Sequence, residues 1–219
     1  MKKTAKTNSS INTVVFDTVV FDLGGVLIDW NPRHLYRKIF GDDENGMETF
    51  LAEVCHSEWN LQQDRGRPWQ DAIAEAITRF PDQEANIRAY RERWDEMLKG
   101  PIEGTVNILE ELKSTGLRLL ALTNWSAETF PIAEKRFAFL EWFDGILVSG
   151  QEKLAKPDPA VFHLLIQRYC LAPSRTVFVD DQPYNTEAAA KEGFKAIRFT
   201  TPVNLRRELQ TLGIRLNQK

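Results

Sequence analysis

The chain has 219 residues, 42% of them hydrophobic and 27% charged, with a net charge of −3. That length suits one core of ordinary size, or a core with a small inserted domain, and the composition is that of a globular protein. Lys and Arg are interspersed with Asp and Glu, which argues against nucleic acid as a partner, and no apolar run approaches the roughly 20 residues that cross a bilayer.

The first residues, MKKTAKTNSSIN, carry Lys2, Lys3 and Lys6. They lack the apolar core of roughly 7–15 residues that a signal peptide needs, so residues 1–12 are expected to form a disordered tail. Cys55 and Cys170 make neither a metal spacing nor a disulfide framework. Reduced thiols in a cytoplasmic protein are the expectation.

A doubled phrase follows. Thr13–Asp17 and Thr18–Asp22 both read TVVFD. Only the second copy runs into a turn, Leu23-Gly24-Gly25. Val19–Gly25 therefore reads as a strand buried on both faces. Asp17 is followed by Thr18 and Val19, which continue an extended chain, and so stands before the strand. Apolar runs of the same type recur at Leu117–Asn124, Phe143–Gly150, Thr176–Asp181 and Lys195–Phe199.

Helical periodicity lies between them. Thr105–Thr115 puts Val106, Leu109 and Leu112 on one face and stops at Gly116. Pro159–Tyr169 and Glu187–Glu192 read the same way. Strands alternating with helices predict an α/β fold, a doubly wound parallel sheet. From Arg33 to Lys99 no strand is expected. Asn45–Cys55, Trp69–Phe80 and Glu84–Leu98 read as helices, with Pro32 and Gly100-Pro101 at the two edges. The expected organisation is an α/β core of residues 13–32 and 100–219, with a helical cap, residues 33–99, inserted after the first strand.

Ligands bind such sheets beyond the carboxyl ends of the strands. The first strand ends in Asp22-Leu23-Gly24-Gly25 and the second in Thr123-Asn124-Trp125. Leu154-Ala155-Lys156-Pro157-Asp158 lies just past the third, and the fourth ends in Asp180-Asp181. Three converging acids repel one another unless a divalent cation with oxygen ligands relieves them. A hydroxyl, backbone N–H groups and a lysine suit the oxygens of an anionic substrate. A carboxylate among them can attack phosphorus.

VVFDLGGVL, LALTNWS, LAKPD and VFVDDQPYN together resemble the four motifs of the haloacid dehalogenase superfamily, in that family's order and over nearly the whole chain. The resemblance implies Asp22 as nucleophile, with Thr123 and the backbone of Asn124 binding phosphate. It makes Lys156 the neutralising lysine and Asp181 a metal ligand, with Asp180 as a further ligand or its support. Gly24 would offer its carbonyl to Mg²⁺, the implied cofactor, and Trp125 either lines the pocket or packs under the cap.

One position departs from the pattern. Most phosphatases of the family carry a second Asp two residues after the nucleophile, as general acid and base, and here that residue is Gly24. General acid–base help is worth roughly 10²–10⁴-fold. First motifs of the DLGG or DLGN type resemble a branch that includes sugar-1-phosphate phosphatases, whose anomeric leaving group departs more easily. Asp29 is a candidate substitute acid.

The function expected is an Mg²⁺-dependent phosphatase for a small phosphorylated metabolite, acting through an aspartyl-phosphate as a monomer or homodimer. The alternatives are a 2-haloacid dehalogenase using the same Asp, in which the acidic pair has no place, and a catalytically weak phosphate-binding relative. His56, Trp59, Gln62, Arg65 and Arg67 are candidates to face substrate or to join cap helices to one another. His163 reads as structural. Taken singly, Asp22 could be a turn residue, Thr123-Asn124 or Asp180-Asp181 helix caps, and Lys156 a solvated side chain.

Overall fold

Each of the five apolar runs becomes a strand of one parallel sheet in the computed structural model, which describes residues 15–216. The tail expected over residues 1–12 lies outside the described residues. The chain runs through β1 (Thr18–Phe21), β2 (Ile28–Trp30), helices α1 (Arg33–Phe40), α2 (Glu44–Glu53), α3 (Ser57–Asp64), α4 (Trp69–Arg79) and α5 (Glu84–Glu92), then β3 (Leu98–Pro101). It continues through α6 (Glu103–Lys113), β4 (Arg118–Thr123), α7 (Phe130–Arg136), β5 (Gly145–Val148), α8 (Ser149–Glu152) and α9 (Pro159–Tyr169). The last elements are β6 (Thr176–Asp180), α10 (Pro183–Lys191), β7 (Lys195–Arg198) and α11 (Pro202–Thr211).

The sheet order is β5-β4-β1-β6-β7, so β1 is central, with Val20 paired to Leu120 on one side and Phe178 on the other. Side chains alternate across a strand. Val19 and Phe21 therefore pack into the core that holds Leu109 of α6 and Leu209 of α11. Val20 enters the opposite core with Phe162 of α9 and Ala189 of α10. Both faces are covered, which is why the strands read as continuous apolar runs. Chain order reverses beside β1: β4 and β5 build outward on one side, β6 and β7 on the other. That reversal opens a crevice at the carboxyl ends of β1, β4 and β6.

The expectation of no strand between Arg33 and Lys99 fails at its edge. Leu98–Pro101 pairs antiparallel with Ile28–Trp30, with a register shift between Asp29 and Trp30. The helix expected over Glu84–Leu98 accordingly stops at Glu92, tightens into a 3₁₀ turn at Trp94–Met97 and then extends. Pro101 favours an extended residue before it, and the alternating Ile28-Asp29-Trp30 supplies the partner. The two-stranded ribbon carries the chain into and out of the helical segment. Within that segment Tyr36, Trp59 and Trp69 surround Tyr90, at ring-centroid separations of 6.0, 5.1 and 5.6 Å.

Candidate active site

Asp22 is the first residue beyond β1, and its carboxylate Oδ1 accepts the N–H of Leu23 at 2.7 Å. The chain then folds back, with Gly25 N–H bonded to the Ile28 carbonyl at 2.9 Å. Gly25 adopts φ +76°, the left-handed region that favours glycine. The turn lies against Asp181: a Cβ on Gly25 would sit 2.9 Å from its Oδ2. At Gly24 a Cβ would meet nothing within 4 Å. Asp17, the other candidate from the doubled phrase, lies at the opposite end of β1, where it pairs with Arg175 at 3.1 Å.

Lys156 is buried among the strand ends. Its ammonium donates to the Leu122 carbonyl at 2.9 Å and to Asp180 Oδ2 at 2.7 Å, and lies 2.9 Å from Asp22 Oδ2. Asn124 fixes the loop that presents it: Nδ2 donates to the Lys156 carbonyl and Oδ1 accepts the Lys156 N–H, both at 2.9 Å. Asp180 is fully enclosed. Besides Lys156 it accepts from the Gln182 N–H at 2.9 Å and from Asn185 Nδ2 at 3.0 Å. Asp181 accepts from Gln182 Nε2 at 2.6 Å.

One carboxylate oxygen from each of Asp22, Asp180 and Asp181 lies within 4.8 Å of the others. Fully ionised, the three acids exceed the single ammonium by two charges. Burial, with Asp180 and Asp181 adjacent, pushes the Asp22 carboxyl up to about 8 against the pull of Lys156. Burial and Asp180 likewise raise Asp181. Burial works against the Lys156 ammonium, but the Asp180 and Asp22 carboxylates outweigh it and hold its proton more firmly. An all-oxygen acidic cluster with this charge excess fits a hard divalent cation. Thr123 ends β4 nearby, and its buried Oγ1 has no hydrogen-bond partner. A buried hydroxyl so left is one that a substrate oxygen would satisfy.

A cavity of about 740 Å³ opens above Asp22, Gly24, Asn124 and Asp181. Lys156 and Thr123 lie beneath its surface. Trp30, Tyr90, Trp94 and Trp125 give it an aromatic wall. Trp125 both lines the cavity and packs, its ring 5.2 Å from Trp94 and 5.8 Å from Phe130. Of the helical-segment residues singled out from sequence, only His56 lines the cavity; Trp59, Gln62, Arg65 and Arg67 do not. Trp59 packs inside the helical segment, and Arg67 pairs with Glu75. Asp29 also stands outside, bonded to His34 at 2.9 Å. His163 pairs with Glu192 at 2.6 Å on the far helices.

Arg33, Asn60 and Asp64 line the cavity and were not anticipated. His56, Asn60 and Asp64 are spaced four apart, one face of a helix, and that polar stripe was the available signal. Asn60 Nδ2 donates to Asp64 Oδ2 at 3.0 Å, while Asn60 Oδ1 accepts from the Tyr90 hydroxyl at 3.2 Å. Burial pushes the Asp64 carboxyl up to about 7, opposed by the nearby Ser126 backbone and by the charge of Lys156. The Ser149 hydroxyl donates to the Asp64 carbonyl and accepts the Trp125 N–H at 2.9 Å. Trp69 Nε1 donates to Ser126 Oγ at 2.9 Å. The end of α3 is thus tied to the loop that follows Thr123.

A family model described as haloacid dehalogenase-like hydrolase matches residues 16–193. The sesquiterpene phosphatase astK of Aspergillus oryzae is 28% identical over 200 residues, 90% of this chain and 96% of its own. A phosphorylated carbohydrates phosphatase of Thermotoga maritima is 24% identical over 83% of each chain. The (S)-2-haloacid dehalogenase 4A of Burkholderia cepacia is 29% identical over 44% of this chain and 42% of its own. Among solved structures, a HAD family enzyme of Bacteroides thetaiotaomicron, in complex with magnesium and inorganic phosphate, shares the fold at TM-score 0.66 and 19% identity, over 85% of this chain and 95% of that one.

Proposed function

The chain belongs to the haloacid dehalogenase-like hydrolases, and from that premise we propose that it is an Mg²⁺-dependent phosphatase for a small phosphorylated metabolite, a sugar phosphate among the candidates. The observation that carries this reading is the cluster of three carboxylates around one buried lysine at adjacent strand ends. Attack on a carbon–halogen bond has no use for two further acids beside the nucleophile, whereas a divalent cation on phosphoryl oxygens does. A haloacid dehalogenase among the relatives keeps that chemistry as the alternative to be tested.

In this reading Asp22 attacks phosphorus and becomes an aspartyl-phosphate, which water then hydrolyses. Asp22, Asp181 and the Gly24 carbonyl would hold Mg²⁺, which would offset charge on the cluster and on the phosphoryl oxygens. Asp180 has its oxygens committed to Lys156, Gln182 and Asn185, so its part is to hold Lys156 against Asp22. Thr123 Oγ1 and the Asn124 N–H receive phosphoryl oxygens. The cavity volume suits a small metabolite, and its aromatic wall suits the face of a sugar ring or another apolar body.

The test is phosphate release from a panel of sugar and aryl phosphates. We expect release that needs Mg²⁺, stops in EDTA and falls at least about 10³-fold in D22N, as loss of a covalent nucleophile does. Activity surviving in EDTA or in D22N would refute the mechanism. Halide release from 2-haloacids without phosphate release would establish the dehalogenase alternative.

A further inference from the structure

We infer that Asp64, reaching the cavity from the helical segment, is the catalytic acid and base that position 24 lacks. The inference rests on the phosphatase reading and specifies its proton transfers. Four carboxyl groups line the cavity: Asp22, Glu58, Asp64 and Asp181. Asp22 and Asp181 are assigned to phosphorus and metal. Glu58 is exposed on the first turn of α3, with no partner to aim it.

Asp64 is aimed from two sides. Asn60 Nδ2, itself fixed by the Tyr90 hydroxyl, holds Oδ2 at 3.0 Å. The Ser149 hydroxyl donates to the Asp64 backbone carbonyl, which fixes the end of α3 against the loop beyond Thr123. The neighbouring His56 is a poor rival. Its Nδ1 is committed to the Trp59 N–H at 3.2 Å as the cap of α3. A Cβ at Gly24 would meet nothing within 4 Å, so the position where the family's usual acid would stand is open.

The two steps balance. As Asp22 Oδ bonds to phosphorus and the bond from phosphorus to the leaving oxygen breaks, the Asp64 proton passes to that oxygen and the alcohol departs. Water then bonds to phosphorus, its proton goes to the Asp64 carboxylate, and the Asp22–phosphorus bond breaks. Phosphate leaves, and both carboxyls are restored. The carboxyl must start protonated near neutral pH, and its partly buried place on the cavity wall raises it in that direction. The charged or titratable groups acting with it are Lys156, which opposes protonation, and Tyr90, which burial holds in its neutral form.

The experiment compares aryl phosphates from p-nitrophenyl phosphate, whose leaving group departs as an anion, to phenyl phosphate, whose leaving group needs a proton. The full chain is used with Mg²⁺, and kcat/KM reports the step that forms the aspartyl-phosphate. D64N should stay within about 3-fold of wild type on p-nitrophenyl phosphate and fall about 10²-fold or more on phenyl phosphate. G24D, whose new side chain has room, should restore phenyl phosphate turnover in the D64N background. On the wild-type chain, activity on phenyl phosphate should decline as pH rises through neutrality, and activity on p-nitrophenyl phosphate should not; this arm holds even if D64N does not fold. An equal loss on both substrates, no loss on either, or the same alkaline decline for both would overturn the assignment. Absence of phosphate release from every aryl phosphate by the wild-type chain would instead overturn the phosphatase reading, and the assignment with it.

Discussion

Gly24 and Gly25 are adjacent yet meet opposite surroundings. A methyl group at 24 enters open space, whereas at 25 it would press on the Asp181 carboxylate from a left-handed backbone. G24A should therefore keep the wild-type unfolding free energy to within about 0.5 kcal/mol. G25A should lose about 1–2 kcal/mol to backbone strain and should also weaken Mg²⁺ binding by displacing Asp181. Urea unfolding and Mg²⁺ titration calorimetry on the pair read both effects, and equal behaviour of the two variants would contradict the turn geometry. The Gly-Gly pair was also the cue in the sequence that separated Asp22 from Asp17, because only a turn brings backbone and a carboxylate to one ion. Asp64 and Asn60 had only a fainter cue, their spacing from His56, and Arg33 had none. A helix carries polar residues on every solvent-facing side, and only its docking decides which side meets a cavity. Choosing by residue type alone led to Arg65, Arg67, Trp59 and Gln62; the four-residue period would have led to Asn60 and Asp64.

At the scale of elements, the parallel strands were legible because a strand covered on both faces leaves an unbroken apolar run, and Thr18–Phe21 and Thr176–Asp180 are buried throughout. The β2–β3 ribbon was not legible. Its strands are 70 residues apart at Ile28 and Leu98, each is only three or four residues long, and neither pattern is distinctive until the two meet. The docking of α3 and α4 on the loop after β4 was equally hidden, since it rests on single contacts. Trp69 carries the largest of these: its buried indole N–H donates to Ser126 Oγ and its ring stacks on Tyr90. W69F keeps an aromatic ring but leaves that bond unmade, at a cost of about 1–3 kcal/mol. The denaturant midpoint should fall accordingly at constant m-value, KM should rise, and kcat/KM on phenyl phosphate should fall further than on p-nitrophenyl phosphate, because the helical segment carries both the cavity wall and Asp64. An unchanged KM would mean that this tie does not set the cavity.

For the molecule as a whole, the acidic cluster is a source of instability that the proposed Mg²⁺ would remove. Lys156 alone faces Asp22, Asp180 and Asp181, so the metal-free protein must either bury two excess negative charges or take up protons. Mg²⁺ bound only by the folded chain would stabilise it by about 2.7 kcal/mol at a hundred times the dissociation constant. For a chain of this size that corresponds to a rise in Tm of about 5–10 °C. D181N should lose most of this Mg²⁺-dependent rise while being at least as stable as wild type in EDTA, since one of the repelling charges is gone. K156M should behave in the opposite sense. In EDTA it leaves the carboxylates without their partner and should cost about 3–5 kcal/mol; saturating Mg²⁺ should return part of that loss. Thermal melts of the three proteins with Mg²⁺ and with EDTA separate these outcomes. A Tm rise as large in D181N as in wild type would place the cation elsewhere. A K156M protein as stable as wild type in EDTA would mean that the cluster is already discharged by protons, and the lysine would then serve the reaction without holding the fold together.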